Sequence, residues 1–185
     1  MTSSELDPII QARTLHGVPP TAPKIPFKNI RHLLSLHAQV SPEKVFLIHY
    51  DGDGSREEFT YAAFNGRVHQ AAGWLYDDLG VRRGDTVATI GYNHSDTVIL
   101  YFACWLIGAR VAPQNVTEDD RRIAYILRNS EAVTCLVRSE YLPRAETIIH
   151  GADEGLVAAN IRQIAQMGGT PSDHYPHFDT AIINK

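Results

Sequence analysis

Cysteine is scarce in this sequence. Cys104 and Cys135 are the only two in 185 residues, both inside apolar runs and far from each other. That excludes a disulfide-stapled scaffold and a cysteine-rich metal module, and it predicts two free buried thiols in a reducing, cytoplasmic setting. Long hydrophobic runs are missing as well. The longest, residues 98–107, falls well short of the ~20 residues that span a bilayer. It predicts a core helix that is apolar, and therefore buried, on every side. Residues 1–8 lack the positive start and apolar stretch of a signal peptide, so none is expected. Charge of one sign is weak: the net value is −4, which gives no basic field to gather nucleic acid or anionic lipid. Arg82-Arg83 and Arg121-Arg122 are expected to be solvated faces.

Three chemical signatures are also missing. No glycine-rich loop is followed by the lysine that a phosphate cradle needs, and Gly168-Gly169-Thr170-Pro171 reads as a plain turn. No Gly-x-Gly-x-x-Gly follows a strand, which argues against a nicotinamide or flavin enzyme. No Gly-x-Ser-x-Gly occurs, so a serine nucleophile on an elbow is not expected.

What is present is an alternation of strand and helix. Residues 1–28, with Pro19, Pro20, Pro23 and Pro26, read as an extended lead-in. Ile30, Leu33, Leu34 and His37 fall at helical spacing, and Ser41-Pro42 ends that helix. Residues 45–50 and 58–61 predict a hairpin about the turn Asp51-Gly52-Asp53-Gly54. Thr60 is positioned to cap a helix whose apolar face is Phe64, Val68, Ala71, Ala72, Leu75 and Leu79, with Gly80 as its stop. Strands are then predicted at 86–92, 110–112 and 132–137, and helices at 96–107, after a Thr117 cap, and at 142–149. Such alternation from 86 to 150 predicts an α/β fold with a mostly parallel sheet flanked by helices. Residues 151–185 form a third segment, with a helix expected within 157–167 and the start of a strand at 178–183.

Asn93, His94 and Ser95 are the candidate site. They follow a predicted parallel strand at its carboxyl end, where open α/β sheets bind ligands. The alternative is structural: Asn93 and Ser95 cap the next helix and His94 packs beside them. His174 and His177, with Asp173 and Asp179 nearby, are a weak metal signal in a proline-containing stretch best read as an exposed loop. No catalytic, cofactor-binding or metal residue is assigned.

An ordered series of segments carries a family resemblance. Gly84-Asp85-Thr86-Val87-Ala88-Thr89-Ile90-Gly91-Tyr92-Asn93-His94, then Tyr101-Phe102-Ala103, Gly108-Ala109, Asn115 and Ile123-Ala124-Tyr125-Ile126-Leu127 resemble the N-terminal subdomain of adenylate-forming (AMP-binding) enzymes. Phe59-Thr60-Tyr61 and Ser41-Pro42-Glu43-Lys44 fit the same pattern, and the match runs from about Phe27 to Tyr141. It is most similar to medium- and long-chain fatty acyl-CoA synthetases. Ala63 departs from the acid usual three residues after the capping threonine, and Pro113-Gln114-Asn115 replaces the more usual Pro-Leu-Asn.

The resemblance implies that residues 29–150 are the acyl-CoA synthetase-like subdomain. It implies that the complete enzyme uses ATP, Mg²⁺ and CoA to convert a fatty acid or other carboxylate to its acyl-CoA. It also implies that Asp179-Thr180-Ala181-Ile182-Ile183 leads toward a phosphate loop that these residues do not contain, so that the chain is truncated and inactive alone. Its partners would be the C-terminal part of the same enzyme and a second copy in a homodimer. A stand-alone, non-catalytic interaction module of the same origin is the other reading.

Overall fold

The computed structural model describes residues 26–151 and 160–183. Residues 1–25 of the expected lead-in, residues 152–159 and the last two residues lie outside the described part, and so do the first three residues of the helix expected within 157–167.

The chain forms a four-stranded parallel sheet in the order β4-β3-β5-β6. β3 is Thr86–Ile90, β4 Arg110–Gln114, β5 Ala132–Arg138 and β6 Gln163–Met167. Every residue of β3 is buried, as a central parallel strand covered on both faces should be. Alternate residues divide between two cores. Val87, Leu136, Ala165 and Met167 belong to one, and Ala88, Ile90, Cys135, Val137 and Ile164 to the other. Helix α3, Ser95–Ile107, covers the first face. Helices α4, Asp120–Asn129, and α5, Leu142–His150, cover the second. Both thiols are free, and burial pushes each up to about 12, so they act as small apolar side chains.

Ahead of the sheet lie α1 (Ile30–Val40) and the antiparallel hairpin of β1 (Val45–Tyr50) with β2 (Arg56–Thr60). The hairpin turn is held by its aspartates: Asp51 Oδ1 accepts from Gly52 N and Asp53 Oδ1 from Ser55 N, both at 2.8 Å. Thr60 Oγ1 accepts from Ala63 N at 3.2 Å and caps α2, Tyr61–Gly73. The reciprocal bond of a capping box has no carboxylate here, since the third position is Ala63. After Gly73 the helix widens into one π turn, Trp74–Asp78, that buries Trp74 and Leu75.

Several expectations from sequence are corrected. The 98–107 run is not buried all round. Ile99, Leu100, Ala103 and Cys104 face the core, whereas Trp105 is 42% exposed. The helix has the sheet on one side and the aromatic cluster of Phe46, Phe64 and Phe102 on another, and among the described residues its third side, at Trp105, is exposed. Asp119 caps α4 through Arg122 N, in place of Thr117. Thr117 is instead drawn into a turn on Asn115, whose Oδ1 accepts from both its amide and its hydroxyl.

Residues 163–167 of the expected helix are strand β6, paired parallel with β5. Ile164, Ala165, Gln166 and Met167 are all buried, and a short segment covered on both faces has no period by which to tell strand from helix. Phe178–Ile183 is a helix, α6, and not a strand. Phe178 and Ile182, four apart, bury one face, and the Phe178 ring sits 5.7 Å from that of Trp74.

Two outcomes follow from this packing. Leu100→Asp places an unpaired carboxylate in a fully buried position and should cost several kcal/mol. A melting temperature within a degree of the parent would show that α3 is not seated on the sheet. Thr60→Ala removes a cap and should cost about 1 kcal/mol, read as a lower urea midpoint with an unchanged slope.

Candidate functional site

β3 and β5 are neighbours in the sheet, but the chain leaves β3 toward β4 on one side and returns to β5 on the other. The loops after these two strands therefore part, and a crevice opens between them, the usual place for a ligand in such sheets. The loop after β3 is Gly91-Tyr92-Asn93-His94, and the last residue of β5 is Arg138.

Arg138 lies across this crevice with only 7% of its surface exposed. Its Nη1 donates to Asp96 Oδ2 at 2.9 Å and its Nη2 to Tyr92 Oη at 3.1 Å. The guanidinium carbon stands 4.9 Å from the centre of the Tyr92 ring, a cation–π contact. The side chain can cross only because Gly91 has no Cβ, since one built there would collide with Arg138 Cγ.

Asp96 lies in the first turn of α3, where the helix dipole favours an acid. Burial pushes its carboxyl up, but contacts with His94 and Arg138 outweigh that and hold it below the ordinary carboxylate range. His94 is itself the cap of α3, with extended backbone and Nδ1 3.2 Å from Asp96 N. The same nitrogen lies 2.9 Å from Asp96 Oδ2. Ser95 is buried, and its Oγ donates to Glu57 Oε2 of β2 at 3.0 Å.

The three residues singled out from sequence thus separate. His94 and Ser95 join a network with Glu57, Asp96, Arg138 and Tyr92, and the capping role expected of Asn93 and Ser95 belongs to His94. Asn93 is exposed and lines a neighbouring cavity of about 470 Å³ with Tyr92, Thr97, Gln114 and Asn115, at the carboxyl ends of β3 and β4. Gln114 is buried there, with Nε2 bonded to Ala112 O and Oε1 without a partner. This arrangement offers amide and hydroxyl groups to a ligand and holds one cation, Arg138, in reserve behind Asp96.

His174 and His177 do not come together as metal ligands. His177 is buried, its Nε2 3.2 Å from Gly168 O and 3.8 Å from Asp179 Oδ2, whereas His174 is exposed in a turn. Among the described residues, the metal-type groups that do meet are His49, Asp51 and His94. Arg138, Asp96, Glu57 and Gln114 were missed in the sequence. A lone arginine directly after the apolar run 132–137 was the available signal, because charge at the carboxyl end of a buried parallel strand has no packing reason to be there.

The family model described as AMP-binding enzyme matches residues 34–174. The crotonobetaine/carnitine–CoA ligase of Salmonella paratyphi A is 30% identical over 124 residues, covering 67% of this chain and 24% of that protein. The ligase of the same name from Citrobacter koseri is 30% identical over 126 residues, covering 66% and 23%. Among solved structures, the anthranilate CoA ligase AuaEII in complex with anthranoyl-AMP superposes with a TM-score of 0.70 at 22% identity, over 90% of this chain and 29% of that one. The inhibitor-bound N-terminal domain of FACL13 from Mycobacterium tuberculosis gives 0.68 at 23%, over 85% and 36%. These two likenesses are of fold. The chain spans about a quarter of the length of the curated relatives it matches, and the match over residues 34–174 makes it a member of the AMP-binding enzyme family.

Proposed function

We propose that this chain supplies the N-terminal scaffold of an acid–thiol ligase. In that reaction a carboxylate oxygen attacks the α-phosphorus of ATP, giving an acyl-adenylate and diphosphate. The thiol of CoA then takes the acyl group and releases AMP. The observation that carries the reading is the family match over residues 34–174 in a chain that spans a quarter of relatives named as CoA ligases. The names of similar proteins range over crotonobetaine and carnitine, anthranilate and long-chain fatty acids. A fatty acid is the acyl group that the sequence resemblance favours.

The charged steps of this chemistry need cations and N–H donors fixed around the phosphates, with Mg²⁺ to neutralise the oxygens. The 185 residues contain no glycine-rich loop followed by lysine. The one buried arginine of the crevice, Arg138, is already committed to Asp96. In this reading residues 29–150 provide three strands of the sheet and the crevice wall, and 151–185 add the edge strand β6 and helix α6. Asn93, Gln114 and Asn115 present the polar rim, while His94 and Ser95 anchor it from behind. No described helix is long and apolar enough to cross a membrane.

The chain alone should show no carboxylate-dependent exchange of diphosphate into ATP. A panel of short, medium, long-chain and aromatic carboxylates with Mg²⁺ measures this directly. Exchange above the no-carboxylate background would mean that these residues bind and activate ATP themselves, and the scaffold reading would fall.

A further inference from the structure

We propose that His49, Asp51 and His94 form a binding site for a late first-row divalent cation of the Zn²⁺ type, which ties the β1/β2 hairpin to the start of α3. The three come from two distant places in the chain. His49 is in β1 and Asp51 directly follows it, so the two share one face of the hairpin. His94 caps α3. One ligand atom of each residue lies within 4.8 Å of those of the other two, and the two imidazole rings are 4.4 Å apart at 57°. Tetrahedral bonds of ~2.0–2.1 Å put ligand atoms about 3.3 Å apart. Each group therefore needs to move by no more than about 1 Å, and Asp51 lies in an exposed turn that can supply this.

Two independent features point to a ligand. Nε2 of His49 is enclosed and has no hydrogen-bond partner, a cost that a buried polar atom rarely carries without cause. His94 is already held as metal-binding histidines are held, with Nδ1 2.9 Å from Asp96 Oδ2, itself fixed by Arg138. Without metal, Nδ1 serves Asp96 N as the helix cap at 3.2 Å. A cation on Nε2 selects the other tautomer, in which Nδ1–H donates to the carboxylate.

The charge around the site permits a cation. Glu57, Asp96 and Asp179 line one pocket with His94, Arg67 and Arg138, and Glu57 pairs across the hairpin with His49. The positive end of α3 opposes the metal, and Asp96 in its first turn offsets this. Two imidazoles and one carboxylate, with a fourth position open to water, suit Zn²⁺ and its neighbours. They do not suit Mg²⁺ or Ca²⁺, which require oxygen donors.

Chelator-treated full chain, titrated with Zn²⁺ in a calorimeter, should bind one ion per chain, and its melting temperature should rise with Zn²⁺ concentration. Co²⁺ should give the visible absorption of a four-coordinate nitrogen–oxygen site. Asp51→Asn keeps the acceptor for Gly52 N and so keeps the turn. It should weaken Zn²⁺ binding by about tenfold or more, His49→Gln likewise, and Asp96→Asn by about 10–100-fold through the orientation of His94. His174→Asn should leave binding unchanged. Absence of one-to-one Zn²⁺ binding, equal binding of Mg²⁺, or parental affinity in both Asp51→Asn and His49→Gln would overturn the proposal.

Discussion

The Arg138–Asp96 pair is the contact on which the carboxyl end of the sheet depends. A guanidinium this deeply buried cannot lose its partner without leaving an unpaired charge, an effect worth about 3–5 kcal/mol when one side of such a pair is removed. The pair joins β5 to the first turn of α3 across the point where the sheet changes direction. Everything nearby is placed by it. Tyr92 lies under the guanidinium, Gly91 is glycine so that the side chain can pass, and His94 is oriented by the carboxylate that Arg138 holds.

From that pair the order spreads to the hairpin. Ser95 reaches Glu57, and the ring of His94 meets that of His49, so two separate contacts connect β1 and β2 to the start of α3. The aromatic cluster of Phe46, Phe64 and Phe102 does the same through apolar packing one layer deeper. The hairpin would be marginal alone, as an isolated pair of strands is in water. Here it is fixed by polar contacts at one end and by the core at the other. A cation at His49, Asp51 and His94 would tighten the polar end and leave the apolar one unchanged.

The proposed role as the scaffold of a ligase gives this construction a purpose. A ligase that moves charge between phosphate and carboxylate gains from rigid walls, because groups that need not reorganise stabilise a transition state more effectively. Under the proposed function the crevice serves as such a wall, with its one buried cation neutralised and a rim of amides beside it.

Much of the fold was legible in the sequence because it is local. Thr60 before an apolar helical face, the Asp-Gly turn after residue 50, and Gly80 just past that face with φ +65 each act within a few residues. The apolar runs at 86–92 and 132–137 announced parallel strands, and the order of segments announced the family. Tertiary structure alone decided the rest. Residues 163–167 became a strand because β5 offered an open edge, and 178–183 became a helix because Trp74 lay under one face. Arg138 and Asp96 are 42 residues apart and Ser95 and Glu57 are 38 apart. Period, composition and caps describe what a segment does with its own neighbours. Which side chains meet across a sheet, and which charge is neutralised there, depends on strand order, and no short stretch of sequence carries that.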